Sequence, residues 1–281
     1  MSLDEPIVMG IINATPDSFY APSRVEAVAS IGSIDSIASI GFIASIESMA
    51  RRHLDEGAAI LDVGAILDVG ACSTRPSSAP ISEAEELARL DAVLPALRRA
   101  CPDAIVSVDT FRPVVARHCA ERYAIDIIND ISGGSPDMFS TVADLRLPYI
   151  LTYNAASTTA ESPSPSAAAR YLAERLQTLN DLGATDVILD PGIGFGQTPE
   201  QSFAILAALP QLIAAFPNSP WLVGLSRKRI VYQTLGITPD EALNGTTVLN
   251  TIALQAGAHI LRVHDVRPAR ESITLLQAMK A

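Results

Sequence analysis

The sequence predicts a single-domain α/β fold, a (β/α)8 TIM barrel in which eight parallel strands alternate with helices. With 281 residues, 48% of them hydrophobic, the chain is long enough for one such barrel, which takes about 250 residues. Short apolar runs recur along the chain, and helical stretches separate them. Polar side chains follow several of these runs, where a parallel barrel places its active site. A doubly wound open sheet is the structural alternative.

The apolar runs define eight candidate strands. They lie at residues 7–12, 66–69, 104–108, 125–128, 149–151, 187–189, 222–223 and 260–263. Candidate helices lie at residues 83–99, 113–121, 167–182, 199–216 and 245–255. The Pro- and Ser-rich stretch at 160–166 has the length of a loop, so one domain is predicted over residues 1–281.

Two repeated segments interrupt this pattern. Residues 29–49 repeat every three residues, so in a helix the isoleucines would wind around the axis, and Gly32 and Gly41 would weaken that helix further. Residues 59–64 and 65–70 are the same hexapeptide, AILDVG. An insertion of even length preserves which side chains of a strand face the core, so either copy could form the second strand. Local duplication explains both repeats more simply than a functional device does.

Composition and charge exclude several classes of protein. The formal net charge of -11 leaves no global basic field for binding nucleic acid. The three cysteines have no metal-binding spacing, and their odd number argues against a disulfide framework. No signal peptide and no apolar run of about 18 residues is recognisable, which predicts a reduced, cytoplasmic protein without a membrane partner.

Polar residues at the predicted strand ends form two chemical sets. Asp109, Asn129 and Asp190 suit the edge of a flat heterocycle, because carboxylates accept adjacent N–H donors as a pair. Lys228, after the seventh strand, can donate to a ring carbonyl or a ring nitrogen. The second set consists of Asn13, Arg262 and His264, which suit a diphosphate with a divalent metal.

Other site types lack their motifs. The glycines of DPGIGFG, residues 190–196, permit a tight turn and a close approach to a ligand, but they do not form GxGxxG. A Walker motif and a nucleophile elbow are likewise unrecognisable, and Cys72 reads as a bystander thiol. Chemistry without a covalent enzyme intermediate is therefore predicted.

The motifs NATPDSF, STRP, SVDT, IND, DPGIGFG, GLSRK and RVHDV follow one another along nearly the whole chain. In this order they resemble the dihydropteroate synthase family, which joins 6-hydroxymethyl-7,8-dihydropterin diphosphate to 4-aminobenzoate in folate biosynthesis. The resemblance implies a cytoplasmic transferase that uses Mg²⁺, is a sulfonamide target and commonly forms a homodimer. A corrinoid-dependent methyltransferase with the same pterin pocket and a non-catalytic pterin-binding protein are the competing interpretations.

The resemblance also implies roles for particular residues. Catalytic roles fall to Asp109, Asp190, Lys228, Arg262 and His264, and the metal ligand is Asn13. The implied substrate-binding residues are Asn13, Asp17, Phe19, Asp68, Thr74, Arg75, Pro76, Asp109, Asn129, Asp190, Lys228, Arg229, Arg262 and His264. Asp68 is preferred over Asp62 because the second hexapeptide keeps the family spacing to STRP, so residues 66–69 are the predicted second strand.

The chain also departs from the family pattern. The family often has Met-His-Met at the fifth strand, where this chain has Thr152, Tyr153 and Asn154. Gln197 follows DPGIGFG where lysine is frequent, and Cys72 stands where the family commonly has glutamate before STRP. These differences concern the diphosphate side of the site more than the pterin pocket.

Overall fold

The computed structural model describes residues 5–13, 37–64, 81–157 and 162–279. Eight parallel strands form one sheet in the order β6-β5-β4-β3-β2-β1-β8-β7. A single bridge between Leu189 and Trp221 joins β6 to β7 and nearly closes the barrel. This confirms the predicted barrel. The strands are β1 Ile7–Asn13, β2 Ile60–Gly64, β3 Ile105–Asp109, β4 Ile127–Asp130, β5 Tyr149–Thr152, β6 Val187–Asp190, β7 Leu222–Val223 and β8 Ile260–Val263.

Helices alternate with these strands. They are α1 Ile37–Asp55, α2 Glu83–Ala100, α3 Pro113–Tyr123, α4 Pro136–Leu145, α5 Pro165–Asp181, α6 Pro199–Ala207, α7 Leu209–Ala215, α8 Arg229–Leu235, α9 Leu243–Gln255 and α10 Val266–Ala278. The sequence predicts one helix over 199–216, but the chain breaks at Ala208 into α6 and α7. Pro210 follows two residues later and has no N–H to continue the first helix.

Part of the period-three repeat is helical. Helix α1 begins inside the repeat at Ile37, although the sequence pattern offers no single apolar face there. Ile46 and Ala50, four residues apart, are fully buried and fix the side of the helix that faces the core. Tertiary packing therefore determines this helix. A Cβ added at Gly41 would meet nothing within 4 Å outside the neighbouring helix backbone, so no close contact requires glycine there.

The second strand is formed by the first copy of the hexapeptide, so the prediction of residues 66–69 is wrong. Strand β2 pairs with β1 from Ile60 to Gly64. The Ala59 N–H donates to the Val8 carbonyl and the Ala58 N–H to the His53 carbonyl, which ties β2 to the end of α1. This short connection selects the first of two identical strands, so the extra residues follow β2. Asp68 lies outside the described residues.

The barrel interior has an apolar floor. Alternate residues of a strand point to the same side, and those at the strand starts form a separate apolar cluster inside the barrel. The buried members of this cluster are Met9, Ile60, Ile127, Ile150, Ile188, Leu222 and Ile260. Two residues further along, toward the carboxyl end, five of these strands carry a polar residue on the same inward face: Asp62, Asn129, Thr152, Asp190 and Arg262. The floor therefore supports a polar site at one mouth of the barrel.

No helix within the described ranges combines the length and the apolar character that crossing a bilayer requires.

Cys101 and Cys119 are buried, and burial raises the pKa of the Cys119 thiol to about 12. That thiol is accordingly uncharged and a poor nucleophile at neutral pH. The cytoplasmic location predicted from the sequence stays a prediction.

His53 on α1 is buried against β1. A side chain at Gly10 would place its Cβ 2.6 Å from His53 Nδ1, so only glycine leaves room for this imidazole. Burial, with a smaller effect from Arg52, lowers the pKa of His53 to about 4. The folded protein therefore holds a neutral imidazole at pH values where the unfolded chain is protonated.

We expect acid to destabilise the protein through His53. As the pH falls from about 6.5 to about 4, the unfolded chain binds a proton that the folded protein excludes, so up to about 3 kcal/mol of unfolding free energy is lost. Urea unfolding across this range should show a shallower decline in His53→Gln than in the parent protein. Carboxylates that titrate in the same range contribute equally to both proteins. Parallel curves would rule out His53 as the cause.

Candidate functional site

Eight inward positions, one at the carboxyl end of each strand, surround the mouth of the barrel. They are Asn13, Gly64, Asp109, Asn129, Thr152, Asp190, Gly224 and Arg262. Two of them are glycines, and a Cβ at Gly224 would lie 3.7 Å from Lys228 Nζ. The missing side chains leave space between the polar groups. A polar wall above an apolar floor suits a flat heterocycle with hydrogen-bonding edges.

Asp62 organises one side of this mouth. Its side chain is fully buried, and its Oδ2 accepts a hydrogen bond from Arg262 Nε at 2.7 Å and from Asn129 Nδ2 at 3.1 Å. Arg262 Nη2 also donates to Asp109 Oδ2 at 2.6 Å. Arg262 thus bonds to both carboxylates, and this bridge fixes the distance between them. The sequence interpretation assigned Arg262 to the diphosphate, and this bridging role was not predicted.

The loop after β6 positions Lys228. Lys228 Nζ donates to the Ile193 carbonyl at 2.8 Å and lies 4.4 Å from the centre of the Phe195 ring. Asp190 is also tied to this loop, because its Oδ1 accepts from the Gly192 N–H at 2.8 Å. The loop therefore fixes a carboxylate and an ammonium group at the same side of the mouth.

Gln197 holds that loop in shape. This buried amide accepts a hydrogen bond from the Gly194 N–H at 3.1 Å and donates to the Gly192 carbonyl at 2.9 Å. Ser202 donates to the same amide oxygen. The sequence analysis treated Gln197 as a departure on the diphosphate side. The structure gives it contacts within the loop that carries Ile193 and Phe195.

Hydrogen bonds from two neighbouring residues, Ser226 and Arg227, connect the loop after β7 to the loop after β8. Ser226 Oγ lies 3.0 Å from His264 Nδ1 and accepts a hydrogen bond from the His264 N–H at 3.2 Å. Arg227 then donates to both carboxylate oxygens of Asp265, at 3.0 and 2.9 Å. Arg227 has a left-handed φ of 56°, which this paired side chain helps to stabilise. The contact between Ser226 Oγ and Nδ1 orients the His264 imidazole.

A buried ion pair outside the mouth was not predicted. Glu86 on α2 is fully buried and accepts hydrogen bonds from Thr110 Oγ1 at 2.6 Å and from Arg112 Nη1. Arg112 also donates to the Ile81 carbonyl at 2.7 Å. Burial raises the pKa of Glu86, although its partners act in the opposite direction. The pair braces Thr110, which directly follows Asp109. Sequence offered no signal, because an acidic residue in the first turn of a helix normally favours the helix dipole.

The structure brings together part of the predicted residue set. The carboxyl ends of strands carry Asn13, Asp109, Asn129, Asp190, Arg262 and His264, while Lys228 caps α8 and Arg229 is its first residue. Arg229 Nε is buried and has no hydrogen-bond partner among the described residues. The remaining predicted residues lie outside the described residues: Asp17, Phe19, Asp68, Thr74, Arg75 and Pro76. Within the described ranges, no group of three or more His, Cys, Asp or Glu residues could hold a metal ion.

Comparison with known proteins identifies related chains. The family model "Pterin binding enzyme" matches residues 9–264. The dihydropteroate synthase of Escherichia coli K12 is 33% identical, over 99% of this chain and 93% of its own length. The structure of Xanthomonas albilineans dihydropteroate synthase with 4-aminobenzoic acid superimposes with a TM-score of 0.82 at 32% identity, covering 100% of this chain and 95% of that one. The same enzyme in complex with 7,8-dihydropteroate gives 0.79 at 31% identity, covering 100% and 96%.

Proposed function

The chain belongs to the pterin-binding enzyme family, in its dihydropteroate synthase branch, and we propose that the barrel mouth performs the condensation itself. The substrates are 6-hydroxymethyl-7,8-dihydropterin diphosphate and 4-aminobenzoate, and the products are 7,8-dihydropteroate and diphosphate. The observation that carries this proposal is the wall formed by Asp109, Asn129, Asp190 and Lys228 above an apolar floor. These groups match the N–H and carbonyl groups of a pterin edge.

The reaction needs a stabilised cation and a positioned leaving group. The bond between the pterin methylene carbon and the diphosphate oxygen breaks, and its electron pair leaves with the diphosphate. Positive charge spreads into the pterin ring, where Asp109 and Asp190 stabilise it. The aminobenzoate nitrogen then forms the new carbon–nitrogen bond and loses a proton to diphosphate or solvent.

The two ends of the reacting pair have separate binding groups. His264, oriented by Ser226, donates to the leaving diphosphate, and Arg262 keeps the diphosphate role assigned from the sequence in addition to its bonds to Asp62 and Asp109. Arg229, whose Nε has no hydrogen-bond partner in the described part of the chain, suits the carboxylate of 4-aminobenzoate. This placement puts the attacking amine between the arginine and the pterin methylene. A sulfonamide competes with aminobenzoate at this position.

We propose Mg²⁺ as the cofactor, with Asn13 as its protein ligand. Mg²⁺ keeps several waters and takes phosphate oxygens, so one or two protein ligands are enough. The Asn13 side chain at the end of β1 fits this need, since its amide provides an oxygen and no larger acidic cluster is present in the described ranges. Bound Mg²⁺ supplies charge that neutralises the departing diphosphate.

A turnover assay tests the proposed function. Purified protein with both substrates and Mg²⁺ should release diphosphate and form dihydropteroate in equal amounts, and a sulfonamide should inhibit competitively with 4-aminobenzoate. Chelation with EDTA should abolish release, and added Mg²⁺ should restore it. Equal rates after chelation would exclude the metal. Binding of the pterin diphosphate without release on adding aminobenzoate would identify a non-catalytic pterin-binding protein.

We also propose that the chain forms a homodimer through α9. Val248 and Ile252, one helical turn apart, are 51% and 42% exposed, which is unusual for large apolar side chains on one face. Light scattering at micromolar concentration should give twice the chain mass of 29.7 kDa. Val248→Glu should give the monomer mass. A parent protein that is monomeric under these conditions would refute the dimer.

A further inference from the structure

Thr152 at the end of β5 carries a buried hydroxyl without a partner. The residue is fully buried, and its Oγ1 has no hydrogen-bond partner among the described residues. Buried polar side chains normally form hydrogen bonds, and an unpaired one destabilises the folded protein unless something else compensates. Its position in the ring of inward residues makes it a candidate for contact with a ligand.

The surroundings of Thr152 indicate which face of β5 its side chain occupies. Thr152 is in register with Asp190 of the neighbouring strand β6. A Cβ built on Gly192 would lie 3.2 Å from the Thr152 methyl carbon Cγ2, so the methyl packs beneath the loop after β6. Thr152 lies two residues after Ile150 of the apolar floor, so strand alternation places its side chain on the inward face of the barrel, in register with Asp190.

We propose that the Thr152 hydroxyl is a specificity-determining contact to the pterin ring, beside the edge that Asp190 holds. This inference rests on the proposed function. A hydroxyl can donate to an unprotonated ring nitrogen or accept from an exocyclic amine, so it suits either heteroatom at that edge. The family often has methionine at this strand, and a thioether cannot donate a hydrogen bond. Thr152 therefore gives this chain a polar contact where an apolar one is common.

Thr152→Val tests the contact, because valine keeps the shape and removes the hydroxyl. Calorimetry with 6-hydroxymethyl-7,8-dihydropterin diphosphate should show affinity weakened about two- to twelvefold, and Thr152→Ser should stay within about twofold. The KM for 4-aminobenzoate should be unchanged. The ligand-free Val protein should melt higher by about 2–4 °C, since it no longer buries an unpaired hydroxyl. Weaker binding together with higher stability is a result that a purely structural threonine would not give.

Ser107→Ala is the matched control. Ser107 is also buried with a hydroxyl that has no partner among the described residues, but it lies below the ring at the mouth, two residues before Asp109, in register with Asp62 and Ile127. Its replacement should leave pterin affinity unchanged. Equal affinities of the parent and Thr152→Val proteins, or equal losses in Thr152→Val and Ser107→Ala, would overturn the inference. Failure of the parent protein to bind the pterin would instead reject the proposed function.

Discussion

Asp62→Asn should lower kcat/KM about tenfold to more than a hundredfold. The substitution removes the negative charge that accepts hydrogen bonds from Arg262 and Asn129, and a hydrogen bond to a charged group contributes about 1.5–3 kcal/mol. The asparagine oxygen is a neutral acceptor, so Arg262 would be held more weakly on this side while its bond to Asp109 remains, and the two sides of the pterin pocket would lose their fixed separation. Steady-state kinetics with both substrates measures the effect, and circular dichroism checks that the barrel remains folded.

Asp68→Asn is a control within the same chain. Asp68 occupies the same place in the second hexapeptide as Asp62 does in the first, but β2 is built from the first copy. We expect its kcat/KM to stay within about twofold of the parent value, because the acceptor for Arg262 and Asn129 is Asp62. A large loss of kcat/KM in Asp68→Asn, together with a parent-like kcat/KM in Asp62→Asn, would mean that the second copy forms the strand in solution.

Asp190→Ala should weaken pterin binding about tenfold to more than a hundredfold. It removes a charged acceptor in a desolvated pocket, where each such hydrogen bond contributes about 1.5–3 kcal/mol. The Gly192 N–H also loses its acceptor, so the loop that positions Lys228 should loosen. Calorimetry with the pterin diphosphate measures the loss. Asp190→Asn, which retains an oxygen for Gly192, separates the charge from the loop contact.

Asp130→Ala is the contrasting variant. Asp130 follows the inward residue Asn129 and therefore faces away from the mouth, where it accepts from Tyr149 Oη at 2.9 Å and from the Ser132 N–H at 2.7 Å. Removing it should cost about 2–4 kcal/mol of unfolding free energy, because buried donors lose their acceptor. Its pterin affinity should remain close to that of the parent. Similar affinities for Asp130→Ala and Asp190→Ala would reject the assignment of Asp190 to the pterin.

Most of the barrel could be predicted because its strands are short apolar runs between helices. The exceptions have identifiable causes. Two identical hexapeptides contain no local information that chooses between them, and the connection from α1 makes the choice. Helix α1 itself was not predicted, because a period of three residues gives no constant apolar face. Its burial of Ile46 and Ala50 depends on the sheet it packs against.

The site was predicted at the level of residue types and strand ends, but not of pairing. The positions of Asp109, Asn129 and Asp190 follow from where apolar runs end. That Arg262 bridges Asp62 and Asp109 depends on contacts between residues 200 and 153 positions apart. For the same reason, Gln197 was named only as a departure from the family pattern, and Glu86 was not named at all. Their roles come from neighbours that only the folded chain brings together.

The seam between β6 and β7 gives the barrel one weak side. β7 has two residues, and in the continuously described segment 162–279 a single bridge, Leu189 to Trp221, joins it to β6. Asp190 lies on the β6 side of this seam, and Lys228 lies on the β7 side. A pterin held by both residues would link β6 to the segment after β7, where the barrel has the fewest interstrand contacts. We therefore expect substrate binding to be coupled to local unfolding here, so that amide hydrogens along the seam exchange more slowly when the ligand is present.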